Sequence, residues 1–361
     1  MRASYVQLLA TAGLSASALF IPNLARDEFG ATNAEIGVIV AVYSFTVFIS
    51  SYLFGRASDV HGRKLFLKAG LALSALACLL QIVADDTVSL IVVRAMVGLC
   101  AGIYPSALIA HVYETSRRIG NFSSFGSLGF GVGMFIAGLI GAYYEIFLLS
   151  TLFMTAAFVI TLRMDLGEEK HHKVPLFPLD IMRRNLPVYL SVMLRHTGAN
   201  MVWVTYPIFL ADLGAGGVLI GAVYAVNALT QFTVMRCIDL FDSSKLVIAG
   251  FSLSAIVFLA FTLSTDVLQV IVITVALATA WACLYIGSMK YILERTEEMG
   301  TGSGLLSSTF SISGILGSLA GGAVSYEFGY HGAMFAAMVM AVAGLGVFLY
   351  GNRKRQVLYP A

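Results

Sequence analysis

Apolar residues run along this chain in long unbroken stretches separated by short polar turns. They fall near 4–25, 34–55, 65–84, 87–112, 120–143 and 144–163, and again near 186–211, 215–235, 246–264, 266–292, 301–325 and 330–350. Each run is close to the roughly 20 residues that an α-helix needs to cross a bilayer. Continuous runs, rather than alternating ones, exclude the strands of a membrane β-barrel. The pattern predicts an all-α integral membrane protein of twelve transmembrane helices, with no room between them for a sizeable soluble domain.

Composition agrees with the pattern. Of 361 residues, 58% are hydrophobic and 12% charged. A water-facing surface takes about 25% charged residues, so disordered chains, coiled coils and almost any soluble enzyme are excluded. The net charge of +2 says little, but the placement of the charges is informative. With the N-terminus inside, 19 of the 22 Lys and Arg residues lie on the inner side, from Arg2 through Arg63, Lys64, Arg117, Lys170, Arg183 and Lys245 to Arg355. Only Arg26 lies outside, and Arg94 and Arg195 fall within spans. Such sidedness predicts a multi-pass protein of the cell (plasma) membrane with both termini cytoplasmic. Arg2 and the small residues Ala16, Ser17 and Ala18 superficially permit a signal peptide over 4–25. An internal repeat argues against its removal.

That repeat has an offset near 180. Phe54-Gly55-Arg56-Ala57-Ser58-Asp59 aligns with Val234-Met235-Arg236-Cys237-Ile238-Asp239. In the same register Gly70 meets Gly250, Glu114 meets Glu294 and Gly120 meets Gly300. The expected organisation is an N-terminal six-helix half over 1–164, a cytoplasmic connector over 165–185 and a C-terminal half over 186–361 with a short cytoplasmic tail. Parallel repeats of this kind place a binding site between the halves near mid-bilayer. The connector contains Glu168, Glu169, Lys170, His171, His172 and Lys173 and reads as a solvated linker. A metal site there would need further ligands close by.

Gly55-Arg56-Ala57-Ser58-Asp59-Val60-His61-Gly62-Arg63-Lys64 resembles the loop 2–3 motif of the major facilitator superfamily. Ala57 stands where that motif has Leu, and Val60 where it has a basic residue. The resemblance extends over the whole chain, because helix count, repeat and sidedness all agree with it. It implies a fold of two six-helix pseudo-repeats and transport by alternating access. It also implies a cytoplasmic gate at Gly55, Asp59, Gly62, Arg63 and Lys64, with Asp59 and Arg63 bridging the halves. A carboxylate at such a helix end meets either a helix N-terminus or an Arg. The plainer reading is that Arg63 and Lys64 only set topology. The second copy is decayed, with Asp242 in place of Gly62 and Ser243 in place of Arg63. Arg94-Ala-Met-Val-Gly98 is similar to a second motif of the family, on its fourth helix, which implies proton transfer or substrate binding by Arg94.

The intramembrane charges carry the functional argument. An ionisable group at mid-depth is a site hypothesis by default. Arg94 either serves a site or snorkels to the outer interface. Arg195 and His196 lie near the middle of the seventh span. Helical spacing puts Arg195, Ala199, Val202 and Tyr206 in one row and His196, Asn200, Trp203 and Pro207 in the next. The pair either faces a cavity or bonds to neighbouring helices. Gln7 on the first span, Asn227 and Gln231 on the eighth, and Trp281 and Tyr285 on the tenth complete the set of expected substrate contacts. The bland alternative for each is interhelical packing. No Asp or Glu lies near the middle of any span.

Arg94 and Arg195, one in each half, suit a carboxylate or phosphate, which Arg grips with a planar fork. His196 is the natural proton carrier beside Arg94 in coupling. The expectation is a proton-coupled secondary transporter for a small organic anion, working as a monomer in the lipid bilayer. No cofactor, metal or nucleic acid is expected, and no nucleophile–base pair suggests an enzyme. Two alternatives stay open. One is a proton-coupled efflux carrier for multiple drugs or amphipathic solutes, with Trp203, Tyr206, Trp281 and Tyr285 as a soft pocket. Gly133 to Gly138 lacks the Pro and one Gly of the antiporter pattern on the fifth helix, which weakens that reading. The other is a transporter-like sensor without net flux.

Overall fold

The computed structural model describes residues 1–167 and 171–358. Glu168, Glu169 and Lys170 of the expected connector, and the side chains of Lys354 and Arg355, lie outside the described residues. Every regular element described is helical. The first six spans are α1 (Arg2–Leu19) with α2 (Ile21–Asp27), α3 (Asn33–His61), α4 (Arg63–Leu80), α5 (Thr87–Ala101) with α6 (Pro105–Ser116), α7 (Ile119–Ile140) and α8 (Tyr143–Leu162). The remainder are α9 (Leu179–Trp203) with α10 (Tyr206–Asp212), α11 (Gly217–Cys237), α12 (Ser243–Thr262), α13 (Val267–Leu293) and α14 (Met299–Leu358).

Ten helical stretches among the described residues are long and apolar enough to cross a membrane. One of them, Met299–Arg353, holds two spans, because Gly329 breaks α14 at φ 68° and ψ −178°. Only a residue without a Cβ enters that conformation freely. The twelfth span is α9 with α10, whose three arginines and His196 lower its apolarity. The twelve expected spans are therefore all present.

Three spans that the hydrophobic pattern shows as single helices are each broken in two. Phe20 separates α1 from α2, Gly102 to Tyr104 separate α5 from α6, and Val204 and Thr205 separate α9 from α10. Each second piece carries Pro in its first turn, as Pro22, Pro105 or Pro207. Proline lacks the N–H that would continue the hydrogen-bond ladder, so it restarts a helix more readily than it extends one.

The chain forms two compact units. One comprises Met1–Phe177 with Thr296–Ser308, and the other Pro178–Arg295 with Thr309–Ala361. In the first, α1 packs on α7 and α8, α3 on α5, and α4 on α8. In the second, α12 packs on α13, which also receives α11. The repeat is legible in these contacts. A Cβ on Gly70 would lie 2.9 Å from the Tyr104 backbone nitrogen, and one on Gly250 would lie 2.6 Å from that of Leu284. Both pairs obey the offset of 180.

Gly250→Val should therefore lower the melting temperature of the purified protein by several degrees, since overpacking costs about 1–3 kcal/mol. Gly314→Ala, where a Cβ meets nothing within 4 Å, should leave it unchanged.

Candidate functional site

The basic end of α3 is hydrogen-bonded to the first turn of α14. Asp59 has no exposed surface. Its Oδ1 accepts from the Gly300 N–H at 3.0 Å. Its Oδ2 accepts from the Thr301 N–H at 2.6 Å and from the Thr301 hydroxyl at 2.8 Å. Gly300 and Thr301 stand in the first turn of α14, whose N–H groups have no partner within their own helix. Asp59 thus caps a helix on which partial positive charge accumulates. Gly55 lets the two segments approach, because a Cβ there would lie 2.6 Å from the Gly300 carbonyl oxygen.

Arg63 makes its short contact elsewhere. Its Nη1 lies 2.5 Å from Glu114 Oε2 on α6, while its Nη2 is 3.7 Å from Asp59 Oδ1. Of the two motif residues, Asp59 is the one hydrogen-bonded to the first turn of α14, and Arg63 pairs with Glu114. Gly62, at φ 92°, joins α3 to α4 without an intervening loop, and Lys64 is exposed. In the second unit the hydroxyl of Ser243 donates to Glu294 Oε2 at 2.5 Å. Ser243 and Glu294 are the repeat partners of Arg63 and Glu114. The decayed copy therefore keeps the contact with a hydroxyl in place of the guanidinium, and the charge beside Glu294 comes instead from Arg295 at 3.3 Å.

Arg94 is buried inside the first unit. Its Nη1 donates to Gln81 Oε1 at 3.1 Å, and its guanidinium carbon stands 4.4 Å from the centre of the Tyr43 ring. A cation over such a face gains about 0.5–2 kcal/mol. Nε has no partner. Gln7, on α1, donates to Thr11 at 3.4 Å and packs beside Gly126 of α7.

Arg195 is 2% exposed and points among the helices of the second unit. Its Nε donates to the Ser254 hydroxyl on α12 at 2.9 Å, and that hydroxyl donates to the Gly250 carbonyl at 2.7 Å. The rings of Phe258 and Trp281 lie 5.4 and 5.5 Å from the guanidinium carbon. Among the described residues Nη2 has no hydrogen-bond partner, and no carboxylate is within ion-pair reach of Arg94 or Arg195. His196 stacks on Trp281 at 5.0 Å and meets the edge of Phe310 at the same distance, with Nδ1 unpartnered. Tyr285 lies 5.5 Å from Trp281 and 5.7 Å from Phe310.

The structure thus brings Arg195, His196, Trp281 and Tyr285 into one cluster. Ser254, Phe258 and Phe310 join them, and helical periodicity did not reveal these three. Periodicity ranks faces of one helix but does not say which neighbour covers them. A second cluster holds Trp203, Tyr206 and Tyr224, with Trp203 5.1 Å from Tyr206 and 5.6 Å from Tyr224. The Tyr206 hydroxyl shares a hydrogen bond of 2.9 Å with Thr274. Asn227 is buried and accepts from Gln231 at 2.5 Å, while Asn200 donates to the His196 carbonyl at 2.8 Å. Among the described residues no group of three or more His, Cys, Asp or Glu is placed to hold a metal ion.

The Asp59 cap makes a local prediction. Asp59→Ala leaves two amides without their acceptor, and a hydrogen bond to a charged group contributes about 1.5–3 kcal/mol. Hydrogen exchange over residues 299–305 should then accelerate roughly tenfold or more, while exchange in α12 stays as it is.

The sequence profile of the Major Facilitator Superfamily matches residues 3–185 and 188–360. An uncharacterised transporter of this type from Methanocaldococcus jannaschii is 30% identical over 127 residues, 33% of each chain. Multidrug resistance protein D of Escherichia coli is 25% identical over 237 residues, 62% of this chain and 58% of that one. The chain therefore spans a third and somewhat over half of the lengths of these curated relatives. In fold it resembles the human organic anion transporter MFSD10, with a TM-score of 0.79 at 13% identity, covering 96% of this chain and 98% of the other. It also resembles a bacterial homologue of the iron transporter ferroportin, with a TM-score of 0.77 at 12% identity and 98% coverage of both. With its twelve-helix fold and a profile match along nearly its full length, the chain belongs to the Major Facilitator Superfamily and is a multi-pass membrane protein.

Proposed function

We propose that this transporter carries a small organic anion with a planar or aromatic part, by alternating access and with protons as the coupling ion. The observation that carries the reading is the Arg195 guanidinium, 2% exposed and with Nη2 unpartnered. A positive charge held away from water without an anion costs several kcal/mol, so an arriving carboxylate gains what the protein itself does not supply. Trp281, Tyr285 and Phe310 supply aromatic surface next to that charge. His196, stacked on the same Trp281, is the group whose protonation follows the coupling ion. Arg94, with its free Nε, is the matching cation of the first unit. MFSD10 is an organic anion transporter, which is consistent with this reading, although the likeness to it extends to fold alone.

A second reading is efflux of amphipathic drugs. It is favoured by the Trp203, Tyr206 and Tyr224 cluster, whose rings offer apolar area and few charges, and by the similarity to Multidrug resistance protein D.

A thermal-shift panel of aromatic carboxylates and cationic drugs, run on the unaltered protein and on Arg195→Ala, separates the two. A ligand at about 100 times its Kd stabilises the folded state by roughly 2.7 kcal/mol, a shift of several degrees. The anion reading expects a carboxylate to give that shift, Arg195→Ala to lose it and Arg195→Lys to keep part of it. A carboxylate shift that survives Arg195→Ala, or shifts by drugs alone, rejects it. In liposomes, His196→Gln should abolish the dependence of uptake on a proton gradient while leaving counterflow intact.

A further inference from the structure

The segment His171 to Phe177 is not a free linker. It lies along the basic end of α3 and is bonded to it from Tyr52 to Val60. The His172 N–H donates to the Asp59 carbonyl at 2.8 Å. His171 Nδ1 lies 3.1 Å from the Val60 carbonyl, so that nitrogen carries the hydrogen. Arg56 donates from Nη2 to the Val174 carbonyl at 2.6 Å and from Nε to the Pro175 carbonyl at 2.9 Å. The Tyr52 hydroxyl donates to the Leu176 carbonyl. Val174 is buried at 5% exposure, although the residues on either side are largely open.

The physical reason is the end of a helix. The last four carbonyls of α3 have no acceptor role within their own helix, and α4 begins directly after Gly62. Asp59 and Val60 are two of those four. Their carbonyls are met by the strap, from outside α3. The backbone of Asp59 is therefore held by residue 172 while its side chain holds the first turn of α14. One residue carries both bonds, and a movement of that turn breaks or strains both.

We infer that residues 171–177 are a strap that closes over the Asp59 turn when the Asp59 carboxylate caps α14 and lifts when that cap opens. The strap is then a conformational device. It stiffens the capped state and passes its release to Pro178 and α9, which follow it directly in the chain. Interactions that form together on one bistable element shift together.

The test uses the full-length protein in detergent with Cys100→Ser and Cys237→Ser, and Val174→Cys as the reporter. The probe is a charged maleimide. Labelling of position 174 should be slow in this background. Thr301→Val removes one side-chain hydrogen bond to Asp59 without touching α3 or the strap, and should accelerate labelling several-fold. Asp59→Asn should accelerate it roughly tenfold, in keeping with the loss of charged hydrogen bonds. In the reverse direction, Arg56→Gln should raise hydrogen exchange at the Gly300 and Thr301 amides by a similar factor. Melting curves show whether each variant is folded, and the two cap variants and the reverse measurement stand independently. Labelling within twofold of background in both cap variants, or unchanged exchange in Arg56→Gln, overturns the coupling. Fast labelling in the background itself overturns the strap.

Discussion

A charge removed from water must be met by an opposite charge or by oriented dipoles, and in this protein nearly every structural choice follows from that cost. Asp59 is the fully answered case. It has no exposed surface, and three donors on α14 meet its two oxygens. Arg94 is partly answered by one amide oxygen and one ring face. Arg195 has one hydroxyl and two ring faces, and keeps a free Nη2. A saturated carboxylate holds two segments together, and under the proposed function the unsaturated guanidinium of Arg195 is the group that receives the substrate anion.

Backbone groups obey the same accounting. A helix interrupted in hydrocarbon exposes N–H and C=O groups, so breaks are tolerated only where protein covers them. The three broken spans are restarted by Pro22, Pro105 and Pro207. Pro22 and Pro207 lie in corresponding spans of the two halves, as expected where discontinuous helices build a transport path. The break before Tyr206 turns the chain at the point where Trp203, Tyr206 and Tyr224 meet. At the basic end, the carbonyls of Asp59 and Val60 are met by His172 and His171 of the strap.

Much of the fold was legible because its signals are strong and local. Twenty apolar residues in a row have one stable solution in a bilayer, and basic residues sort themselves by the cost of translocation. The repeat was legible even where identity had decayed. Ser243 replaces Arg63 and still bonds the residue that corresponds to Glu114. The helix breaks were not read from the pattern, because a proline in an apolar run leaves hydropathy almost unchanged. The Asp59 contact was half legible. Its motif marked the residue, and its chemistry named a helix N-terminus or an Arg as the partner. Nothing local to residues 55–64 pointed to Gly300 and Thr301, some 240 positions away.

The amino-acid sequence by itself determined that this is a twelve-helix membrane protein of two related halves, and which few residues are ionisable at depth. The helix count and the buried charges follow from the free energy of transferring side chains into hydrocarbon, a property of each segment alone, and the halves follow from the repeat of offset near 180. Only the tertiary structure decided what answers each buried charge. It showed Arg195 bonded to Ser254 but left with a free nitrogen, His196 stacked on Trp281, Asp59 shared between α14 and the strap, and the polar linker laid along α3. Those outcomes depend on which helix faces which. That is settled by close approach at glycines such as Gly55, Gly70 and Gly250 and by the pairing of hydrogen bonds across hundreds of residues.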